Sequence, residues 1–203
     1  MPDLLLFLVT SVAITLAPGP DNLQVLARGM AQGRRAGVVA ALGFAVGCLF
    51  HTMVAAVGLA AVLRSSPLAF QLIKYAGAAY LIWIGIQALS AKGGLAQGSD
   101  VAAVPLGKVF RQSVLGNMMN PKVTLFFLVF LPQFVHADTT HPALQFVLLG
   151  LVFMLQTAVV FSLFGLCAGW LGAWLRKRPA TGRWLDRAAG AIFVGLGIKV
   201  ALP

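Results

Sequence analysis

The chain has 203 residues, 60% hydrophobic and only 10% charged, with a mean hydropathy of +0.91 and a formal net charge of +10. A soluble domain of this length cannot hide so much apolar side chain, because much of its outer shell has to be polar. The composition therefore excludes a soluble domain and points to a helical bundle inside a lipid bilayer.

Six apolar stretches follow one another, each near or above the ~20 residues that a bilayer crossing requires. They run over 4–31, 37–63, 68–91, 111–135, 143–175 and 184–202. The expected fold is an all-α integral membrane protein of six transmembrane helices, forming one membrane domain over 1–203.

The first stretch begins without a basic n-region, at Met1-Pro2-Asp3, and its apolar run continues past any plausible cleavage point. It reads as a span rather than a removable signal peptide. It is interrupted by "APGPDN", which places Pro18, Gly19 and Pro20 inside the run, with Asp21 and Asn22 directly after. Proline removes an amide donor and clashes with the preceding turn, so the helix breaks here. In hydrocarbon such a break survives only where protein or a water-filled cavity covers it.

The second stretch carries His51 on the stripe Gly43, Gly47, His51, Ala55, Gly58. Small residues at that spacing let backbones approach, so His51 faces other helices rather than lipid. It serves either as a proton relay near neutral pH or as a hydrogen-bonded packing residue. The third stretch opens near Lys74, which reads as an interfacial, snorkelling side chain. A short Gly-rich linker over 92–110 leads to the fourth stretch, which breaks at "NMMNPK". There Asn117 and Asn120 line the break, Asn120 reads as a helix N-cap with Pro121 at the first helical position, and Lys122 follows. Gln133 lies near the outer end of this span, and Gln156, in the fifth stretch, reads as a cross-helix hydrogen-bonding residue.

Cys48 and Cys167 lie in apolar spans without a CxxC spacing and read as small hydrophobes. The chain has no Glu, no HExxH and no Gly-rich phosphate loop, so neither a cofactor nor a metal is expected. The small-residue spacings Gly29, Gly33, Gly37 and Gly165, Gly169 suit tight helix contact and leave a homo-oligomer open.

The basic balance is a topology signal rather than a sign of nucleic-acid binding. Eleven cations (Arg28, Arg34, Arg35, Lys92, Lys108, Arg111, Arg176, Lys177, Arg178, Arg183 and Arg187) fall in the first, third and fifth connections. The other side holds Arg64, Lys74 and Lys199, with none in the His136–His141 loop. The positive-inside rule makes the basic side cytoplasmic and places both termini outside. Trp170, Trp174 and Trp184 flank the most basic connection as interfacial anchors.

Three spans per half put the second half into the membrane from the opposite side. This gives two inverted three-helix repeats, about 1–95 and 106–203, inferred from the topology and the two breaks rather than from residue identity. Interrupted segments at corresponding positions of inverted halves mark a transporter's binding site. Asp21 and Lys122 each follow a break proline, and charges in a membrane cost at least ~2.5–3.5 kcal/mol on insertion scales. A zwitterionic amino acid fits such a site: its carboxylate on the half-helix N-termini and Lys122, its ammonium on Asp21. The bland alternative makes Asp21 a helix cap and Lys122 a snorkelling or pairing residue. Candidate substrate-binding or proton-coupling residues are thus Asp21, Asn22, His51, Asn117, Asn120 and Lys122, with Pro18, Gly19, Pro20 and Pro121 as helix-break hinges.

At these residues the sequence resembles the LysE-type amino-acid exporter family, in its homoserine/threonine-exporter branch. The likeness rests on "APGPDNLQVLARGMAQGRRAGVVAALGFAVGCLFH" and "NMMNPKVTLFFLVFLPQF", supported by "KYAGAAYLIWIG" and "RWLDRAAGAIFVGLG". It implies six spans in a bacterial-type cytoplasmic (inner) membrane, no enzymatic activity, and export of small neutral amino acids or derivatives by proton antiport with alternating access. The family's break motifs carry over onto Pro18, Gly19, Pro20, Asp21, Asn120, Pro121 and Lys122. Two other readings stand beside it. A cation or metal exporter would need Asp21, His51 and a cysteine to converge within ligand distance. A membrane thiol–disulfide exchanger would need Cys48 and Cys167 beside the breaks.

Overall fold

The computed structural model describes residues 4–90, 101–135 and 140–202. The head Met1-Pro2-Asp3, Lys92 with the first part of the linker, and His136 lie outside these residues. The described chain is helical, and in order it runs α1 (Leu4–Leu16), α2 (Pro20–Gln32), α3 (Arg34–Val54), a π-helical turn (Ala55–Leu59), α4 (Ala60–Ser65) and α5 (Pro67–Leu89). The second half continues with α6 (Leu106–Met118), α7 (Pro121–Leu125), a second π-helical turn (Phe126–Phe130), a 3-10 turn (Leu131–Phe134), α8 (Pro142–Lys177) and α9 (Pro179–Ala201).

Both expected breaks are present. α1 and α2 are bent by 60° and α6 and α7–Phe134 by 47°. The first bend follows from Pro18 and Pro20, which supply no amide donors, and from Gly19, whose backbone is fully extended at φ −169°, ψ 176°. At the second, Asn120 sits at φ −78°, ψ 111°, the extended region into which a following proline forces its predecessor. The turn from α2 to α3 is a single residue, Gly33 at φ 83°, a conformation that favours glycine.

Among the described residues three helices are long and apolar enough to cross a membrane, or five when each bent pair counts as one span. α9 has the length, 23 residues, but carries Arg183, Asp186, Arg187 and Lys199 and does not qualify by composition. The outer surface of the bundle is strongly apolar: Leu5, Val57, Leu68 and Trp170 are each about 70% exposed. Water would not tolerate such a belt, and lipid does.

α3 packs along α8, and α5 along α9. Glycines make these crossings close. A Cβ on Gly37 would lie 2.7 Å from the Gly165 Cα, and one on Gly85 would lie 2.8 Å from the Gly190 carbonyl oxygen. Gly29 faces Gly165 and Ala168 in the same way. Gly29, Gly37 and Gly165 are therefore used inside the chain and carry no argument for a dimer. The stripe splits: Gly43 and Gly47 of α3 pack on α6, whereas Gly58, in the π turn beyond α3, has nothing within 4 Å.

The core is built on phenylalanine. Phe7 of α1 meets Phe126 and Phe134, and Phe126 stacks on Phe153 of α8 with ring centroids 4.4 Å apart. Each such pair contributes about 0.5–1.5 kcal/mol beyond its buried area. These rings fix α1 and the segment after the second break against α8, and so set the two breaks beside each other.

The three basic connections lie at one end of the bundle. Arg28 and Gln32, at the end of α2, donate to the Ala102 and Val104 carbonyls ahead of α6, and Leu26 and Met30 cluster with Leu175 and Leu185 where α8 turns into α9. Trp170 and Trp174 stack near that end, with the Arg178 guanidinium 5.4 Å over the Trp174 ring.

Candidate functional site

The residues singled out at the two breaks converge. Asp21, in the first turn of α2, is 2% exposed. Its Oδ1 accepts from Asn120 Nδ2 at 2.7 Å and its Oδ2 from Asn117 Nδ2 at 3.1 Å. Both partners come from the second break, some 96 and 99 residues along the chain. Asp21 therefore does not cap α2 with its side chain; Gly19 occupies the N-cap position, and no side chain caps that end.

Asn120 holds two things at once. Its Oδ1 accepts from the Lys122 backbone N–H at 2.9 Å, the expected N-cap with Pro121 at the first helical position, while its amide reaches Asp21. The α7 N-terminus is thus capped from within. Of the two anion-binding half-helix ends anticipated for a ligand, only that of α2 lacks a side-chain cap.

Lys122 is buried and does not snorkel. Its Nζ donates to the Ala17 carbonyl at 2.9 Å and to Asn22 Oδ1 at 3.5 Å. Ala17 O sits just past the end of α1, a carbonyl left without a helical partner by the bend, at the negative end of the α1 dipole. Gly19 is what admits the lysine: a Cβ there would lie 3.0 Å from Lys122 Nζ. Asn22 also donates from Nδ2 to Thr15 O at 2.8 Å, tying α2 back across its own break.

The result is a crossed arrangement. The acid of the first break is held by the asparagines of the second, and the base of the second break is held by a carbonyl and an asparagine of the first. The hydrogen bonds of both ions go to neutral groups, and each charge lies within electrostatic reach of the other.

His51 is 3% exposed, and because a carbonyl only accepts, its Nε2–H donates to Asn117 O at 3.0 Å. It thus contacts the backbone of the residue whose side chain holds Asp21, and its ring lies 5.6 Å from that of Phe127. Gly47 makes this fit, since a Cβ there would come within 2.6 Å of Asn117 Cβ.

Other expectations fare differently. Gln156 does bond across helices, from Nε2 to Thr15 Oγ1 of α1 at 2.8 Å. Gln133 folds back on Val129 O and Lys74 lies over its neighbour Tyr75, both away from the breaks. Cys48 is buried and Cys167 exposed, both as free thiols. Among the described residues no three His, Cys, Asp or Glu side chains could hold one metal ion, so the convergence that a metal exporter requires is not seen there.

Arg28, which the charge pattern places among the loop cations, is instead 6% exposed within α2. It donates to Gln32 Oε1 (2.9 Å), Ala102 O (2.9 Å) and Gln112 Oε1 (3.0 Å). The spacing Arg28–Gln32, i to i+4 on one helix face, was the available signal.

Residues 12–203 match the LysE type translocator family. The chain belongs to that family. It is 32% identical to an uncharacterized membrane protein of Pseudomonas aeruginosa over 98% of this chain and 94% of the relative. It is 31% identical to a homoserine/homoserine lactone efflux protein of Salmonella typhimurium, over 96% of this chain and 94% of that protein. It is 30% identical to a leucine efflux protein of Klebsiella pneumoniae, over 97% and 93% respectively. No solved structure shows a significant match. In this LysE-family chain the matched region contains both breaks, and every residue of the crossed site falls within it.

Proposed function

We propose that this LysE-family chain exports small neutral amino acids or their derivatives, homoserine- or threonine-like, from the cytoplasm by proton antiport. The observation that carries the reading is the crossed pair: Asp21 held by Asn117 and Asn120, and Lys122 held by Ala17 O and Asn22. A zwitterion offers one ammonium and one carboxylate, and this site offers one buried anion and one buried cation. The substrate ammonium takes Asp21 and its carboxylate takes Lys122 together with the uncapped N-terminus of α2. The efflux names of two relatives support the same direction and class of cargo.

The packing of α3 on α8 and of α5 on α9 is what a two-fold axis relating two three-helix halves would produce, and it supports the inverted repeat. Alternating access then consists of the halves rocking about the breaks, with the end holding the basic connections facing the cytoplasm and both termini outside. Asp21 is the first proton carrier and His51 the second: occupation of Asp21 by a proton or by the substrate ammonium is mutually exclusive, which is the requirement for exchange. One proton entering across ~100 mV releases about 2.3 kcal/mol. A tenfold gradient of a neutral zwitterion costs about 1.4 kcal/mol, so one proton supports roughly several tens-fold accumulation outside.

The test is efflux from proteoliposomes loaded with a panel of labelled amino acids, with and without an imposed pH gradient. Gradient-accelerated efflux of small neutral amino acids, with cationic and acidic ones retained, is the expected result. If wild type moves no amino acid, or moves them at a rate indifferent to the gradient, the antiport reading fails.

A further inference from the structure

The crossed site continues into a second polar cluster at the contact of α1 with α8. Thr15 links the two. Its carbonyl accepts from Asn22, the residue that also accepts from Lys122, and its Oγ1 accepts from Gln156 Nε2 at 2.8 Å. Gln156 Nε2 also donates to Thr157 Oγ1 at 2.8 Å. Ser11 lies one turn before Thr15 on the same face of α1 and is fully buried. The bonded groups of the cluster are hydroxyls and one amide, and the Cys48 thiol of α3 lies against Thr157.

The cluster is incompletely satisfied. The buried side-chain atoms that lack a hydrogen-bond partner include Ser11 Oγ and Gln156 Oε1. A helical serine can ordinarily return its hydroxyl to the carbonyl four residues earlier, and Ser11 does not. Burying a hydroxyl and an amide oxygen without partners in a membrane helix contact is unfavourable, and such groups are usually retained for a reason. The amide's orientation does not change the count. Thr15 and Thr157 can each donate or accept, so either end of the Gln156 amide can face them, and the other end remains free.

We propose that Ser11, Thr15 and Gln156 form the side-chain subsite of the transporter and select a hydroxylated neutral amino acid over its aliphatic isostere. This rests on the exporter reading above. With the substrate's charged groups on Asp21 and Lys122, its side chain extends toward Thr15 and Gln156. A side-chain hydroxyl there donates to the free amide oxygen and accepts from Ser11, so both unpaired atoms are satisfied together. A methyl group in the same place leaves both unpaired. Sites that hydrogen-bond a substrate hydroxyl discriminate in this way more strongly than apolar pockets do.

Threonine and valine are an isosteric pair that isolates the hydroxyl. The experiment loads proteoliposomes with equimolar labelled threonine and valine and measures the ratio of their efflux rates for wild type and Gln156→Met, which keeps the length and removes the hydrogen bonds. The threonine-to-valine ratio is expected to fall by about fivefold or more. An unchanged ratio, or an equal fall in both rates, overturns the subsite and makes Gln156 a packing residue. Ser11→Ala provides a second reading on purified protein. Thermal stabilisation by threonine should shrink while that by valine persists, and an equal loss or retention of both overturns the proposal. If wild type exports neither amino acid and binds neither, the exporter reading itself fails. That outcome is distinct from a transporter whose preference ignores Gln156.

Discussion

Asn120 makes two bonds from the two ends of one amide, and substitution can remove them separately. Asn120→Ala loses both the N-cap of α7 and the bond to Asp21. Asn120→Ser keeps a capping oxygen but is too short to reach the carboxylate. The cap is worth about 1 kcal/mol. A 2.7 Å bond to a buried carboxylate is charge-assisted and is worth about 1.5–3 kcal/mol, against about 0.6 kcal/mol for an average inter-helix hydrogen bond in a membrane protein. Asn120→Ala should therefore destabilise by about 2.5–4 kcal/mol and Asn120→Ser by about 1 kcal/mol less than that. Reversible unfolding in mixed micelles, followed by tryptophan fluorescence, measures both. Combining Asn120→Ala with Asp21→Ala isolates the pair as a double-mutant cycle, with an expected coupling of about 1.5–3 kcal/mol. A coupling within about 0.5 kcal/mol of zero, the usual error of additivity, would refute the claim that the second break holds the acid of the first.

Other substitutions probe the same geometry. Gly47→Ala drives a methyl into Asn117 and should cost about 1–3 kcal/mol and most of the efflux, whereas Gly58→Ala, with open space around it, should leave both unchanged; unfolding and efflux assays on the pair check the contrast. Lys122→Met strands the Ala17 carbonyl and should abolish amino-acid efflux in the reconstituted vesicles. Arg28→Met, far from the breaks, should lower stability by about 2–4 kcal/mol in the same unfolding assay, since it removes three hydrogen bonds from a buried cation and leaves Ala102 O and Gln112 unpaired.

The helical class, the membrane setting and both breaks were legible because they are local: apolar run length, proline and the residue before proline determine them within a few positions. Asn120 as an N-cap was legible for the same reason. The bonds that make a site of these residues were not. Asp21 meets Asn117 and Asn120, and His51 meets Asn117, only because the phenylalanine core and the glycine crossings bring distant turns together. No spacing in the chain encodes which asparagine end faces which charge. The two π turns are not legible because nothing in "AAVGL" or "FFLVF" differs from ordinary apolar helix, and Gly58 in the first has open space where Gly43 and Gly47 meet α6. Arg28 is hidden among the eleven cations of the topology signal: its burial depends on a carbonyl 74 residues away and a glutamine 84 residues away.

The most direct test of the crossed site is gradient-driven efflux in wild type and Asp21→Asn, reconstituted side by side, with labelled substrate and internal pH recorded in the same vesicles. Asn at this position keeps the shape and removes the charge. The account predicts that substrate efflux and the accompanying proton uptake are lost together. Full substrate efflux with full proton coupling in Asp21→Asn would contradict it and return Asp21 to a structural role.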